Sequence, residues 1–296
     1  MRKSGADDGG ISLLVTGDLV LDEPDGAYWL SGIAPALRQA DLAIGHLEVP
    51  HTSSAHELGG DVPAPGAPPE NLAAIAEAGF GMVSLAGNHM ADCGPQGIAD
   101  TIAGLDQHGV AHAGAGADLA TARKPAIAEV RGRRVALLSY NCVGPEASWA
   151  SETRAGCAYL PMRTADGTPV SPRAEIVEPL PAAFDILAED IAAARAEADH
   201  VLVALHKGIV HTPALLAPYE RPIARAAIEH GADAVLSHHA HIARGIEFHQ
   251  GRPIFHGLGN GCVVTRALSP AQDHPARAEW ARKRRELFGF EPDPAY

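Results

Sequence analysis

Short apolar runs alternate with helical repeats in the first third of the chain. The runs "ISLLVTGDLVL", "DLAIGHLEVP" and "GMVSLAGNH" predict three strands, and "IAPALRQA" and "ENLAAIAEAGF" predict the helices between them. The next segment, "GPQGIADTIAGLDQHG", predicts a helix because Ile98, Ile102 and Leu105 recur at the spacing of one buried face. Strands that alternate with helices in this way indicate βαβ units.

The rest of the chain continues the alternation and adds two hairpins. "KPAIAEVRGRRVALLSYN" predicts a hairpin that turns at Arg131 and Gly132, and "RGIEFHQGRPIFHGLGN" predicts another over Gln250 and Gly251. Between them, "HVLVALHKG" and "ADAVLSHHAH" predict strands that follow helices over about 181–199 and 214–231. This order predicts a layered α/β fold with mixed sheets in a single domain, 1–296.

Two segments lack a clear periodic pattern. Residues 143–180 are rich in Gly, Pro, Ser and Thr, and so long an irregular stretch in a compact domain is typical of a functional loop. We expect this segment to set specificity, with Trp149 and Tyr159 as caps over the site. The charged tail, 266–296, is predicted to be partly helical.

The composition of the chain disfavours several classes of function. With 36 acidic and 23 basic residues the net charge is −13, which argues against nucleic-acid binding and disfavours a polyanionic substrate unless a metal reverses the local sign. The four cysteines lie far apart, as in a protein with reduced thiols. The first residues show neither a signal peptide nor a membrane anchor, so a cytoplasmic location away from membranes is expected.

Polar side chains stand where nearly every predicted strand ends. Because the carboxyl ends of parallel strands meet at one edge of a sheet, these side chains are expected to lie together. They are Asp18; His46 and Glu48; Asn88, His89 and Asp92; His206 and Lys207; His238, His239 and His241; His256 and Asn260.

Imidazole, carboxylate and amide groups in one place form a mixed nitrogen and oxygen ligand set. Such a set suits Mn, Zn, Fe or a similar divalent metal, as one ion or two. Each part also has a simpler explanation: Asp18 could cap a helix, "GNH" could be a turn, and "HHAH" could be a solvated loop. The combined pattern favours a metal centre.

The same motifs resemble a known family. "GD", "LE", "AGNHMADCG", "H" followed by a basic residue and "G", "SHHAH" and "GLGN" occur in the order found in the CapA-like branch of the calcineurin-type metallophosphoesterases, over about residues 12–264. The resemblance implies a two-sheet α/β sandwich flanked by helices, with a metal site at the carboxyl ends of the strands. The "AGNHMADCG" and "SHHAH" motifs are its most specific parts.

Carried over by motif, the resemblance implies particular roles. His89 corresponds to the acid/base position, and His238 is either a further ligand or a free base. The implied metal ligands are Asp18, Glu48, Asn88, His206, His239 and His241.

Three departures from the superfamily pattern stand out. Val20 replaces a first-motif histidine, "GHLE" replaces a second-motif aspartate, and Ser237 replaces a glycine. Loss of one ligand makes a single-metal centre plausible and puts phosphatase activity in doubt. Few arginines lie near the motifs, and Arg244 and Lys207 are the candidates for binding a phosphate.

Three functions remain open from the sequence: phosphoester hydrolysis with His89 as the acid, Cα epimerisation of a peptide residue, and a component of poly-γ-glutamate capsule biosynthesis. Epimerisation is favoured, because it needs two bases beside the metal and the sequence offers a surplus of histidines as catalytic groups. These are His46, His89, His238 and His256. The expected partner is a peptide-type or small anionic substrate.

Overall fold

The computed structural model describes residues 10–59, 61–267 and 273–288. Its strands are β1 (Leu13–Leu21), β2 (Leu42–Leu47), β3 (Phe80–Ser84), β4 (Ala111–Ala113), β5 (Ala115–Gly116), β6 (Ala126–Val130), β7 (Arg133–Asn141), β8 (Gly156–Cys157), β9 (Met162–Thr164), β10 (Ile176–Pro179), β11 (His200–Lys207), β12 (Ala234–His239), β13 (Ile246–His249), β14 (Arg252–Phe255) and β15 (Asn260–Val264). Its helices are α1 (Gly26–Leu30), α2 (Ala34–Leu37), α3 (Asn71–Ala78), α4 (Gly94–Gln107), α5 (Leu119–Ala122), α6 (Pro181–Glu197), α7 (Glu220–Glu229) and α8 (Pro275–Phe288).

Two large sheets form the centre of the fold. The first has the strand order β15-β1-β2-β3-β4, and each neighbouring pair is parallel. The second has the order β13-β14-β12-β11-β7-β6, in which the edge strands β13 and β6 are antiparallel to their neighbours. The inner strands β7, β11, β12 and β14 are parallel, so their carboxyl ends share one edge.

Three apolar layers hold the two sheets and the helices together. Ile44 and Met82 of the first sheet pack with Leu137 and Leu236 of the second, which places one core between the sheets. A second core lies between the first sheet and α1–α4, and a third between the second sheet and α6–α7. The predicted two-sheet α/β sandwich flanked by helices is confirmed, with one difference: the first sheet is wholly parallel, and the second is mixed.

Both predicted hairpins form where their turn residues require them. Arg131 and Gly132 have φ values of 48° and 73°, and Gln250 and Gly251 have 51° and 76°. Two successive residues with positive φ make the tight turn whose twist matches that of paired strands. The glycine at the second position adopts this conformation without a steric penalty.

Two helices are shorter than the sequence patterns predict. Helix α7 begins at Glu220 rather than near residue 214, because Pro218 disfavours a helical conformation in the residue before it and Ala214 has a φ of 58°. Helix α2 covers only Ala34–Leu37. In the irregular segment 143–180, the short strands β8, β9 and β10 add local pairing.

The predicted tail and the chain start lie partly outside the described residues. Helix α8 occupies Pro275–Phe288, in agreement with the partly helical tail. Residues 268–272 and 289–296 of that tail, and residues 1–9, on which the expectation about a signal peptide rests, fall outside the described ranges.

Candidate metal centre

Strand register brings the polar strand ends together. In the first sheet, Asp18 of β1 pairs with His46 of β2 on one side and with Asn260 of β15 on the other. In the second sheet, His206 of β11 pairs with His238 of β12. The two sheets meet at this edge, where the backbone N–H of His239 donates to Asp18 Oδ2 at 3.3 Å.

Asp18 is the buried centre of the arrangement. The strand register shifts on both sides of this residue, and such irregularities re-aim a side chain. Its Oδ1 lies 3.2 Å from His238 Nδ1 and its Oδ2 lies 3.1 Å from His241 Nδ1. Burial alone would raise the pKa of Asp18, but hydrogen bonds and charges of His238 and His241 hold it well below its usual range. The carboxylate is therefore ionised.

Three of the histidines are neutral. Burial lowers the pKa of His46 and of His239 to about 3 each, and holds that of His206 well below its usual range. His206 Nε2 donates to Asn88 Oδ1 at 2.7 Å, which leaves the lone pair of Nδ1 available. A neutral imidazole with one nitrogen fixed by a hydrogen bond is the state in which histidine binds a metal.

His241 bridges the two carboxylates. Its Nδ1 lies beside Asp18, and its Nε2 lies 3.3 Å from Glu48 Oε1. Burial opposes protonation, yet Glu48 and Asp18 raise the pKa of His241 well above its usual range. The two acids thus attract positive charge to this point, as a cation site requires.

Buried polar atoms provide the test of whether these residues fit a metal. A buried polar atom without a partner costs stability, and native proteins rarely contain several in one place. Within the part of the chain that the structure describes, the buried atoms His46 Nε2, Glu48 Oε2, His206 Nδ1 and His239 Nδ1 at this edge lack a hydrogen-bond partner. Asp18 Oδ1, Glu48 Oε1 and His238 Nδ1 have only the long contacts of 3.2–3.3 Å given above. A divalent cation would satisfy such a set, so the residues fit a metal.

The ligand atoms fall into three overlapping groups, in each of which they lie within 4.8 Å of one another. The groups share His206, Asp18 and Glu48, so the geometry accommodates one ion or two. The groups are Asp18, His46 and His206; Glu48, His206 and His239; and Asp18, Glu48 and His241. We call these six residues the ligand cluster.

The cluster includes one residue that was expected to act as a base. His46 is fully buried, its Nδ1 lies 2.9 Å from Ser84 Oγ, and its ring packs against those of His206 and His238. This position suits a ligand better than a group that meets substrate. His238 stacks on His46 at 4.6 Å between ring centroids and is 3% exposed, so it is equally unsuited to meet substrate.

The backbone of "SHHAH" is left-handed at two positions. His239 has a φ of 83° and His241 a φ of 53°, in a region that side chains other than glycine rarely adopt. Successive side chains of a strand point to opposite faces. The turn at His239 ends this alternation, so His238 faces His46 while His239 and His241 both line the cavity described below. Backbone strain of this kind is typical of functional sites.

Glycine is required where backbones meet behind the cluster. A Cβ on Gly17, next to Asp18, would lie 1.8 Å from the Gly259 carbonyl oxygen. This close approach lets the "GLGN" segment pack against β1, where Asp18 N donates to Gly259 O at 2.9 Å. Both glycines therefore help to fix the position of Asp18.

His89 and Asp92 form a pair beside the cluster. His89 Nδ1 lies 2.7 Å from Asp92 Oδ2, and the same oxygen accepts from the backbone N–H of Ala64 at 2.7 Å. Burial opposes protonation of the imidazole, but the Asp92 carboxylate raises the pKa of His89 to about 9. His89 therefore carries a proton at neutral pH, and it lines the cavity described below.

A cavity of about 570 Å³ opens over the cluster. One end of its wall contains Glu48, Asn88, His89, His239 and His241, all predicted site residues. The other walls are mainly apolar, with both acidic groups (Asp22 and Asp61) and basic groups at intervals. These walls come from Val62–Ala64, Pro172–Arg173, Ile209–Thr212, Val263, Thr265, and Arg277, Trp280 and Lys283 of α8.

Several cavity residues were missed by sequence reasoning. Asp61 accepts from Asn88 Nδ2 at 2.8 Å and so fixes the amide that also contacts His206. His211 lines the cavity with its ring centroid 5.6 Å from that of His241. Asp61 lies in a Pro/Gly-rich loop and His211 in a loop before α7, and neither stands at a strand end that would have marked it.

Other predicted residues are placed elsewhere. His256 lies between Glu247 and Lys207, 3.0 Å and 3.5 Å from its two ring nitrogens, instead of in the cavity wall. Trp149 and Tyr159 stack on each other at 4.1 Å, and the segment 143–180 reaches the cavity through Pro172 and Arg173 instead.

The two side chains expected to bind phosphate form ion pairs inside the protein instead. Lys207 is fully buried and pairs with Glu220 at 2.9 Å, and Arg244 pairs with the same carboxylate at 3.2 Å. Both cations are thereby held by one buried acid.

Comparison with known proteins identifies the family to which the chain belongs. The family described as bacterial capsule synthesis protein PGA_cap matches residues 12–263. The chain belongs to the PGA_cap family. The match spans the whole ligand cluster and confirms the resemblance to the CapA-like branch.

Relatives of this PGA_cap chain are longer than it is. It is 31% identical to a "Probable polyglutamine synthesis accessory protein" of Mycobacterium tuberculosis over 65% of this chain and 47% of that protein. It is 27% identical to the PGA biosynthesis protein CapA of Bacillus subtilis over 82% of this chain and 60% of that protein. The chain thus spans about half of the length of these relatives.

The fold of this PGA_cap chain also resembles a solved structure, the calcineurin-like phosphoesterase YfkN of Bacillus subtilis. The two share 15% identity and a TM-score of 0.46, over 80% of this chain and 72% of the other. Among the helices of the described residues, none is both long and apolar enough to cross a bilayer.

Proposed function

We propose that this chain is a metal-dependent hydrolase in which His89 is the general acid. One observation carries the proposal: the His89 imidazole, held by Asp92 Oδ2 at 2.7 Å, shares a cavity wall with Glu48, His239 and His241 of the ligand cluster. A group that holds a proton at neutral pH beside a metal centre is suited to protonate a leaving group.

The ligand cluster would hold the metal, and when bound the cation supplies Lewis-acid polarisation of the substrate and acidification of water. The residues around it have separate tasks. Asp92 keeps the His89 imidazole oriented and charged, and Ala64 N–H fixes Asp92 in turn. As water adds to the reacting centre, it loses a proton to solvent; the bond to the leaving group breaks, and His89 gives its proton to the departing atom. His89 then regains a proton from solvent, so the protons balance.

We propose a peptide-type chain with acidic groups as the substrate. Arg173 places a positive charge in the cavity wall, which suits a carboxylate of the substrate. Arg277 and Lys283 line the same wall but pair with Glu57 and Glu279. The relatives are named for capsule and polyglutamine synthesis, and a glutamate polymer is a chain of this kind. Lys207 and Arg244 are paired with Glu220, so a phosphoester has fewer cations to receive it.

Cα epimerisation of a peptide residue is the second candidate. It needs a base on each side of the α-carbon, and of the four histidines expected to serve, His89 lines the cavity. His211 is a further imidazole in the same wall, and it is the specific observation that favours this reaction.

One experiment separates the candidates. The chain, loaded with Mn²⁺ or Zn²⁺, is incubated in D₂O with γ-linked and α-linked glutamate oligomers, a ribosomal-type peptide and an aryl phosphate, and products are followed by mass spectrometry. We expect cleavage of an oligomer, and a loss of about 100-fold or more in kcat for His89→Gln, as for removal of a general acid. Deuterium at a single α-carbon without cleavage would favour epimerisation instead.

A matched control is available on the surface. His249 lies 2.7 Å from Glu229, the same separation as in the pair of His89 and Asp92, but on the edge strand β13. His249→Gln is expected to retain wild-type turnover. Equal turnover in His89→Gln and His249→Gln would exclude His89 as the acid.

A further inference from the structure

The loop between β11 and α7 presents a histidine to the cavity in a strained conformation. His211 has a φ of 50° and lines the cavity close to His241. A residue other than glycine holds this conformation only when its surroundings impose it. The contacts of the loop therefore show what fixes His211 in place.

Arg244 holds the loop on both sides of His211. Its Nη2 donates to the carbonyl oxygens of Ile209 at 2.6 Å and Thr212 at 3.1 Å. The backbone N–H of His211 donates to Ala240 O at 2.9 Å, between the ligands His239 and His241. The planar guanidinium reaches two carbonyls at once, which a lysine ammonium on a flexible stem does less well.

Glu220 fixes Arg244 from behind. Its carboxylate is fully buried and accepts from Arg244 Nη1 at 3.2 Å, from Lys207 Nζ at 2.9 Å and from Ala217 N at 2.8 Å. A buried carboxylate with this many charge-assisted partners is strongly oriented, and removal of one partner is costly. Since Lys207 follows His206, the network links a ligand-bearing strand to the loop.

We propose that His211 contacts the substrate in the cavity, and that Glu220 and Arg244 are positioning residues that hold it there. This inference rests on the proposed function for its substrate, a peptide-type chain with acidic groups. An imidazole donates to a carbonyl or carboxylate oxygen of such a chain, so His211 would add a recognition contact beside the metal end of the cavity. The two cations expected to bind phosphate thus act on the site through the loop.

The test combines His211→Ala with Arg244→Lys. Arg195→Lys is the matched control, because Arg195 donates to the carbonyl oxygens of Asp199 and Gly231 and to Asp233 at the start of the strands. We measure kcat and KM for cleavage of γ-linked triglutamate, its Kd by calorimetry on the metal-loaded protein, and hydrogen–deuterium exchange of amides 208–212.

For His211→Ala we expect KM and Kd to rise about 10-fold, the effect of one lost hydrogen bond to a charged group, with kcat within about 3-fold of wild type. For Arg244→Lys we expect a similar rise and an exchange rate at 208–212 that is at least about 10-fold faster. Arg195→Lys is expected to change neither KM nor the exchange of this loop.

The outcomes separate the two proposals. Binding of triglutamate without cleavage by wild type would overturn the proposed hydrolase and leave the role of His211 standing. An unchanged Kd in His211→Ala, or unchanged loop exchange in Arg244→Lys, would overturn the present inference. If wild type does not bind triglutamate, both the substrate class and the role of His211 are wrong.

Discussion

The two ends of the parallel strands differ in how their polar groups are paired. At the amino ends, Arg195 donates to Asp233, whose Oδ2 also accepts from Val201 N at 2.9 Å, and Asp199 accepts from Arg134 N at 2.8 Å. At the carboxyl ends, Glu48, His206 and His239 point buried polar atoms at one another without hydrogen-bond partners among the described residues. The paired groups at the amino ends stabilise the fold, whereas the unpaired groups at the carboxyl ends are suited to bind a ligand such as a metal ion.

The largest expected effect comes from the centre of the unpaired end. Asp18→Asn removes a charge that contacts His238 and His241, so we expect metal affinity to fall by more than the roughly 10–100-fold that the loss of an outer partner causes. Metal content by mass spectrometry and the metal-induced rise in Tm measure it. Asp199→Asn, at the opposite end, is expected to keep wild-type metal content. Equal metal content in the two variants would contradict the site.

The next effect concerns the backbone behind Asp18. The methyl group of Gly17→Ala would meet the Gly259 carbonyl, and overpacking of this kind costs about 1–3 kcal/mol of unfolding free energy. Urea denaturation measures it. Gly32→Ala is the control, because a Cβ there has no described atom within 4 Å. If both variants were equally stable, the close approach of "GLGN" to β1 would not be needed.

An effect of similar size, seen only at acid pH, is a pH dependence of stability near the same end. Burial lowers the pKa of His51 to about 4, and a hydrogen bond with the Val49 backbone offsets only part of this effect. The unfolded chain binds this proton below a pKa of about 6.5, so stability is lost as pH falls from about 6.5 to 4, by about 3 kcal/mol at most. His51→Gln is expected to reduce the difference in unfolding free energy between pH 7 and pH 4.5. An unchanged difference would show that His51 is not buried in its neutral form.

The sequence alone predicted the two-sheet fold and the grouping of polar strand ends at one edge of the sheets. Strand-length apolar runs located β1, β2, β3, β11 and β12, and the rule that parallel strands present their carboxyl ends together placed Asp18, Glu48, His206 and His239 in one cluster. These predictions depend on local pattern and on a general property of parallel sheets, which is why they hold.

The remaining part of the site depends on side-chain direction and on distant segments. His238 stacks on His46 instead of lining the cavity, and His256 lies beside Glu247, although both follow the same strand-end pattern as the cluster residues. Arg244 and Lys207 form ion pairs with Glu220 of α7, and no sequence pattern distinguishes this glutamate from the others. The contribution of α8 to the cavity wall could not be predicted from the sequence either, because it depends on how the tail packs against the rest of the chain.

The left-handed turn at "SHHAH" also has a consequence for protein design. One strand end delivers two imidazoles to a single cavity only because the chain reverses its side-chain alternation at His239 and again adopts positive φ at His241. A graft of the histidines alone onto an ordinary strand end would therefore scatter them over two faces. The transferable unit is the bent backbone together with its packing partners, and a scaffold must tolerate that shape before the histidines are of use.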